Sequence, residues 1–174
     1  MDFSENDLYK TIDFPSEEVL LKEKNSKFFG YAIPVTSEED VKENLERLRK
    51  EHFSARHWCY AYQIGTEKIQ YRANDDGEPN NSAGMPIYGQ IQSFEVTNIL
   101  VVVVRYFGGV KLGVGGLISA YKTAAQMALE NATIIEKTID KHFIISFGYA
   151  HMNKVMRIIK EKNLQIVSQK MEMD

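Results

Sequence analysis

The sequence predicts a protein of mixed α and β structure, and three features support this. Residues 98–106 (NILVVVVRY) form a continuous, mainly β-branched run of strand length, as expected of a central strand covered on both faces. A glycine-rich turn and an Ala- and Leu-rich helical stretch at residues 116–130 follow this run. Residues 57–64 (HWCYAYQI) alternate as in a strand.

The composition favours a globular protein of a reducing compartment. The 174 residues are enough to bury a hydrophobic core. The single cysteine, Cys59, excludes an internal disulfide and a multi-thiolate zinc site. The N-terminus is acidic and polar, and no apolar run reaches the roughly 20 residues of a membrane span. We therefore expect a soluble, cytoplasmic protein with no membrane partner, no metal and no cofactor.

Charge is unevenly distributed along the chain. The net charge of the whole chain is −3, so its overall electrostatic field does not attract nucleic acid. Residues 96–129, however, contain no acidic residue and three basic ones, Arg105, Lys111 and Lys122. Two explanations remain open: a locally positive surface, or a buried strand and small-residue helix with little room for charge.

The elements before the central strand follow from local patterns. Residues 28–35 (FFGYAIPV) predict a strand, and Thr36 with Glu39 has the spacing of a capping box before an amphipathic helix. The strand at 57–64 is predicted to pair with residues 68–72 through a turn at Gly65. Residues 75–79 (DDGEP) predict an exposed loop, after which Ser82 caps a short helix.

The elements after the glycine-rich turn are a helix and a second α/β pattern. Residues 133–137 predict a further strand after the helix at 116–130. From Lys141 the sequence predicts an apolar strand at 142–147, a helix around Val155 to Ile159, and a strand at 164–167. A β-α-β unit of this length does not cover its own sheet and is normally half of a larger domain.

The turn at residues 105–117 (RYFGGVKLGVGGL) is the strongest candidate for a functional surface. Glycines allow positive φ and close approach of a ligand, and the free N–H groups of a helix start favour an anion. The known phosphate fingerprints do not fit, because Gly113 is followed by Val114 and position 118 is Ile118. The alternative is that the glycines only allow tight packing of the helix on the strand.

Three carboxylates and a serine form a second candidate. Asp75, Asp76 and Glu78 suit Mg²⁺ binding or acid–base chemistry, whereas the alternative is an ordinary Asp-Gly turn. Ser82 acts as a nucleophile only with a partnered base, and helix capping is the alternative.

The strand at 57–64 carries a third set of candidates. His57 and Cys59 share one face and suggest a nucleophile pair, with a packed cysteine and a hydrogen-bonded histidine as the alternative. Trp58, Tyr60 and Tyr62 on the other face can stack bases if exposed, or belong to the core.

Several motifs in a fixed order resemble the IMPACT (YigZ-type) family. They are KFFG at 27–30, His57 with CYAY at 59–62, DDGEP at 75–79, Ala83-Gly84, and RYFGGVKLGVGGL at 105–117. Residues 80–86 (NNSAGMP) depart from the SGTAGKP that is common in bacterial relatives. This departure removes a lysine and a glycine and weakens an anion-binding role for that loop, although Ser82 retains the hydroxyl.

The resemblance implies an α+β fold in two parts. Residues 1–137 are expected to form a two-layer α/β domain like the second domain of ribosomal small-subunit protein five. Residues 138–174 are expected to form a partial ferredoxin-like β-α-β unit, which is an incomplete C-terminal domain.

The resemblance also implies a role in translational control through binding, because eukaryotic relatives act on a ribosome-associated activator and bacterial relatives have been suggested to bind nucleic acid. We expect recognition of RNA phosphate or of a ribosome-associated protein, or protein contact without nucleic acid. The alternative is a phosphate-dependent enzyme that performs phosphoryl transfer or hydrolysis with the Asp75, Asp76 and Glu78 carboxylates. The expected anion-binding residues are Arg105, Lys111, Gly108, Gly109, Gly113, Gly115, Gly116, Arg72 and His57, with a polar site at Asp75, Asp76, Glu78 and Ser82.

Overall fold

The computed structural model describes residues 7–172, and the chain divides into two compact units after Asp140. In chain order the first unit contains β1 (Leu8–Ile12), β2 (Val19–Glu23), β3 (Ser26–Pro34), α1 (Glu38–Glu51), β4 (His57–Ile64), β5 (Gln70–Asn74), α2 (Gly84–Ser93), β6 (Ile99–Tyr106), α3 (Gly113–Asn131) and β7 (Ile134–Thr138). Within the described residues, no helix has both the length and the apolar character needed to cross a bilayer.

The main sheet has five antiparallel strands in the order β2-β3-β6-β4-β5, so β6 is the central strand, as predicted. Arg105 on β6 lies opposite Phe28 on β3 and opposite His57 on β4. Strands β1 and β7 form a separate antiparallel pair. The central position of β6 brings Arg105 next to residues that are far away in sequence.

Helices cover both faces of the sheet. Ile99, Val101 and Val103 pack in a core with α2 and α3. Leu100, Val102 and Val104 pack instead in a second core with Val41, Leu45 and Leu48 of α1. The structure therefore has helices on two faces, not the two layers that the resemblance implied. The reason is that a strand with apolar side chains on both faces needs cover on both.

Most of the predicted elements of the first unit are confirmed, with three differences. The side-chain cap of α1 is Ser37, which accepts from the Asp40 N–H, and not the predicted Thr36. Strands β1 and β2 were not predicted; β2 pairs with β3 through Lys24 and Asn25, which have positive φ values of 44° and 65°. Helix α3 begins at Gly113, three residues before the predicted start. Three of the five glycines of the turn thus belong to the first helical turn.

The second unit contains α4 (Met152–Glu161), preceded by a 3₁₀ turn at Tyr149–His151. Residues 142–147 and 164–167 are not strands here, so only the helix of the predicted β-α-β unit is formed. An extended segment needs a hydrogen-bonded neighbour to become a strand, and these two segments have none among residues 141–172. The ferredoxin-like assignment and the boundary between 137 and 138 remain predictions.

Candidate functional site

The Arg105 side chain lies inside the first unit. Its Nη1 donates to Glu78 Oε1 at 2.6 Å, and its Nη2 donates to Ser26 Oγ at 3.4 Å. The guanidinium carbon lies 5.6 Å from the centre of the Phe28 ring and 5.5 Å from that of Phe107. The side chains of Arg105 and Glu78 are only 6% and 4% exposed. This differs from the ligand-facing position that the sequence predicted for Arg105, because a buried guanidinium needs a carboxylate partner.

Glu78 is the centre of a buried polar cluster. Its Oε1 also accepts a hydrogen bond from the Tyr121 hydroxyl at 2.7 Å, and His57 Nε2 lies 3.8 Å from the same oxygen. Burial raises the pKa of Tyr121, and the neighbouring Cys59 and Glu78 raise it further. The loop predicted to be exposed therefore turns its glutamate inward. The carboxylate accepts hydrogen bonds from Arg105 of β6 and Tyr121 of α3, and His57 of β4 lies beside it.

Asp75 caps helix α2 from a distance. Its Oδ1 accepts from the Ala83 and Gly84 N–H groups at 3.1 and 2.8 Å, and its Oδ2 accepts from the Asn81 N–H at 2.9 Å. Ser82, predicted to be the cap, instead donates its hydroxyl to the Pro79 carbonyl at 2.5 Å. The aspartate takes this role because its carboxylate can accept from several N–H groups at once.

Asp76 is likewise engaged by the protein. Its Oδ2 accepts from the Trp58 N–H at 2.8 Å, and Arg49 approaches its Oδ1 at 3.4 Å. Across residues 7–172, no three His, Cys, Asp or Glu side chains are arranged to hold a metal ion. The acidic cluster thus serves the fold, since each of its carboxylates accepts hydrogen bonds from within the chain.

His57 and Cys59 point into the same core, but they do not form a nucleophile pair. His57 Nδ1 lies 2.8 Å from the Asp76 carbonyl, which can only accept, so Nδ1 carries a proton. The Cys59 thiol is fully buried and donates to the Asp75 carbonyl at 3.0 Å. Burial raises the pKa of this thiol, so it stays protonated and unreactive.

Arg72 is not brought together with Arg105 and His57. It lies on β5 directly opposite Tyr62 of β4. Tyr62 belongs to the core beneath α1, whereas Cys59, which shares a face with His57, belongs to the core beneath α2 and α3. Because opposed residues in an antiparallel pair share a face, Arg72 lies on the opposite side of the sheet from Arg105.

The five glycines of the turn have different roles. A Cβ atom on Gly108 would lie 2.1 Å from the Asn25 backbone, so this glycine allows two chain segments to touch. Gly109 and Gly113 adopt positive φ values of 87° and 76°. Gly115 faces open space, and a Cβ on Gly116 would meet only the Leu112 side chain. Close packing therefore explains Gly108 but not Gly115.

The first turn of α3 is the part of the predicted anion surface that remains exposed. Leu112 precedes the helix with no side-chain cap, and the first turn contains no acidic residue. Lys111, Gly113 and Gly115 are exposed. The unpaired N–H groups of a helix start carry partial positive charge, and Lys111 adds a full one. This surface can accept an anionic group.

Exposed apolar side chains occur in the glycine-rich turn and in the first two turns of α3, and they were not predicted from the sequence. Phe107, Val110, Val114 and Ile118 are 38–53% exposed. Val114 and Ile118 are four residues apart in α3, on the side away from the buried residues Leu117, Ala120 and Ala124. Helical spacing alone could have separated these two sets.

The chain matches the model of the Impact N-terminal domain over residues 24–129. The chain belongs to the IMPACT family. The matched residues contain all of the buried polar cluster and the glycine-rich turn.

Two relatives and one solved structure show how much of the chain the similarity covers. The IMPACT family member YvyE of Bacillus subtilis is 33% identical over 153 residues, which cover 88% of this chain and 70% of YvyE. Protein IMPACT of Oryctolagus cuniculus is 37% identical over 100 residues, which cover 55% of this chain and 31% of the rabbit protein. A crystal structure of a hypothetical protein superposes with a TM-score of 0.73 at 28% identity, covering 95% of this chain and 81% of the other.

Proposed function

We propose that this member of the IMPACT family is a translation-associated binding protein, and that it recognises RNA phosphate or a ribosome-associated protein. The contact surface is the α3 entry surface, which we define as residues 107–118. The observation that carries the proposal is the exposed, uncapped first turn of α3 beside Lys111. The link to translation comes from family membership, because the eukaryotic members of the family are expected to act in translational control.

The α3 entry surface offers an anion both amides and cations. The N–H groups at the start of α3 point out of the helix, and the open space at Gly115 lets a ligand approach the backbone. The Lys111 ammonium supplies charge at the same end. Phosphate and carboxylate groups both fit such a surface, which is why RNA and an acidic protein are both compatible with it.

Arg105 contributes indirectly to this surface. Its guanidinium stacks against Phe107 at the beginning of the turn, and Ser26, which it contacts, also accepts from the Gly108 N–H at 3.2 Å. The buried Glu78–Arg105 pair therefore fixes the position of the turn. We assign Arg105 a positioning role in place of direct contact with the ligand.

The alternative of a phosphate-dependent enzyme finds less support. Glu78 accepts from Arg105 and Tyr121, Asp75 accepts from three N–H groups, and Asp76 accepts from Trp58. A carboxylate acting as a general base or metal ligand needs a free lone pair directed at the reactant. The three carboxylates are instead directed into the protein.

RNA affinity across a salt series tests the proposal. Fluorescence anisotropy with a labelled 20-nucleotide poly(U) RNA is expected to show an affinity that falls as salt rises, because phosphate contacts release counterions. Lys111→Ala is expected to weaken binding several-fold and to reduce the salt slope. Lys50→Ala, an exposed lysine at the end of α1, is the control. If the RNA does not bind, and no ribosome-associated protein co-purifies with the full chain after RNase treatment, the proposal fails.

A further inference from the structure

We infer that the partner of the α3 entry surface is an acidic, amphipathic protein segment, with apolar side chains on one face and carboxylates beside them. This inference rests on the proposed function and selects the protein alternative over RNA. Two independent properties of the surface carry it: its exposed aliphatic side chains, and the lysines on either side of them.

The exposed side of α3 carries apolar side chains and a cation. Lys111 lies in the turn before α3, and within the helix Val114, Ile118 and Lys122 follow one another at intervals of four residues. Residues at this spacing lie in one stripe along a helix. Lys122 is exposed, like Lys111. The stripe therefore carries two branched aliphatic side chains followed by the Lys122 ammonium group, and the Lys111 ammonium group precedes it in the chain.

The turn before α3 carries further exposed apolar side chains. Phe107 is 41% and Val110 is 45% exposed, and they precede the stripe directly in the chain. Exposed apolar side chains stabilise a complex only when apolar groups of the partner remove them from water. The phosphates and sugars of RNA do not provide such groups for valine and isoleucine. A protein segment with leucine- or phenylalanine-like side chains does.

The charges around this apolar surface select the sign of the partner. Residues 96–129 contain no acidic residue. The Arg56 guanidinium carbon lies 5.9 Å from the centre of the Phe107 ring, so a further cation borders the surface. In the part of the chain that the structure describes, the recorded ion pairs do not involve Lys111 or Lys122. Carboxylates on the partner would complement these cations and the positive end of α3.

Selection from a peptide library tests this inference with a defined probe. A phage-displayed library of random 16-residue peptides is selected against the full chain, and against the Val114→Ser/Ile118→Ser double variant. Peptides enriched on the unmodified chain are expected to carry Asp or Glu together with large apolar residues at helical spacing. Their affinity is expected to fall at least tenfold in the double variant. Ile69→Ser, which changes an exposed isoleucine elsewhere, is the matched control and is expected to leave binding unchanged.

The poly(U) RNA binding measurement distinguishes a failure of this inference from a failure of the proposed function. Selection of peptides without acidic residues, equal enrichment on the double variant, or no enrichment would each overturn the inference. If poly(U) RNA then binds in a manner that depends on Lys111 but not on Val114 and Ile118, the proposed function stands in its RNA form. If the chain binds neither peptides nor RNA, and no ribosome-associated protein co-purifies, both fail. Circular dichroism melting of the double variant checks that it remains folded.

Discussion

Oε1 of Glu78 lies 2.6 Å from Nη1 of Arg105, and this buried pair connects the loop after β5 to the central strand of the sheet. The two residues are 27 positions apart in sequence. The pair also joins Tyr121 of α3 to the same oxygen, so one carboxylate holds a loop, a strand and a helix together. The position of the glycine-rich turn after β6 depends on this contact.

Removal of the arginine from this pair is expected to destabilise the protein strongly. Arg105→Ala leaves the Glu78 carboxylate buried and without its cation, which typically costs about 3–5 kcal/mol. The measurement is the free energy of unfolding by urea. The variant is also expected to lose ligand affinity, because Phe107 and Gly108 are no longer held in place.

An exposed ion pair of the same loop provides the control. Arg49 lies 3.4 Å from Asp76, and its side chain is half exposed. Arg49→Ala is expected to cost under about 1 kcal/mol, because water solvates exposed charges well. A loss for Arg105→Ala as small as that for Arg49→Ala would contradict the structural role of the buried pair.

Asp75 is expected to act as a cap and not as a catalytic group. Asp75→Ala removes the acceptor for the Asn81, Ala83 and Gly84 N–H groups and is expected to lower the free energy of unfolding by about 1–2 kcal/mol. Asp75→Asn keeps one acceptor oxygen and is expected to lose less. Thermal melting of both variants measures the difference. Equal losses of stability in the two variants would show that the hydrogen bonds to Ala83 and Gly84 do not stabilise the protein.

Local patterns were sufficient to predict the main elements of the fold. The alternation in β4, the apolar run of β6 and the spacing of Val41, Leu45 and Leu48 in α1 each report burial directly. Strands β1 and β2 were missed because they carry charged residues and are only partly buried. Their strand structure depends on pairing partners, which composition does not reveal.

The candidate site was predicted less well, for a physical reason. The sequence placed Arg105 and Glu78 in one functional region but could not show that they neutralise each other, because that contact depends on the sheet order. Arg72 was grouped with them, although the pleat of β5 places it on the other face. The apolar stripe of Val114 and Ile118 could have been predicted from helical spacing alone. The glycines around it were instead interpreted as an anion-binding surface.

Two glycines of the turn are expected to respond in opposite directions to the same substitution. Gly108→Ala forces a Cβ against the Asn25 backbone, and overpacking of this kind typically costs about 1–3 kcal/mol. Gly115→Ala adds a methyl group in open space inside a helix and is expected to stabilise the protein by up to about 1 kcal/mol. Urea unfolding compares the two. Gly115→Ala also tests binding, since it blocks approach to the backbone without damaging the fold; unchanged affinity would show that this glycine is dispensable for ligand access.

The Cys59 thiol is expected to be inert in the folded protein. It is fully buried, and burial raises its pKa, so very little thiolate exists at neutral pH. Reaction with an aromatic disulfide reagent at pH 8 is expected only as fast as the chain unfolds, and immediate reaction is expected in concentrated urea. Rapid reaction of the native protein would place the thiol at the surface and reopen its role as a nucleophile.

Stability at alkaline pH is expected to depend on Tyr62. Burial, the hydrogen bond to Glu38 and the Glu38 charge together raise the pKa of this hydroxyl from 10 to about 12. Below pH 10 the folded and unfolded chains both hold the proton, so the stabilisation is fully present. Between pH 10 and 12 the unfolded chain loses the proton while the folded chain keeps it, so stability falls as pH rises through this window.

The urea midpoint is therefore expected to fall more steeply above pH 10 in the unmodified protein than in Tyr62→Phe. The other tyrosines are common to both proteins and cancel in the comparison, so parallel curves would mean that the Tyr62 hydroxyl is not buried against Glu38.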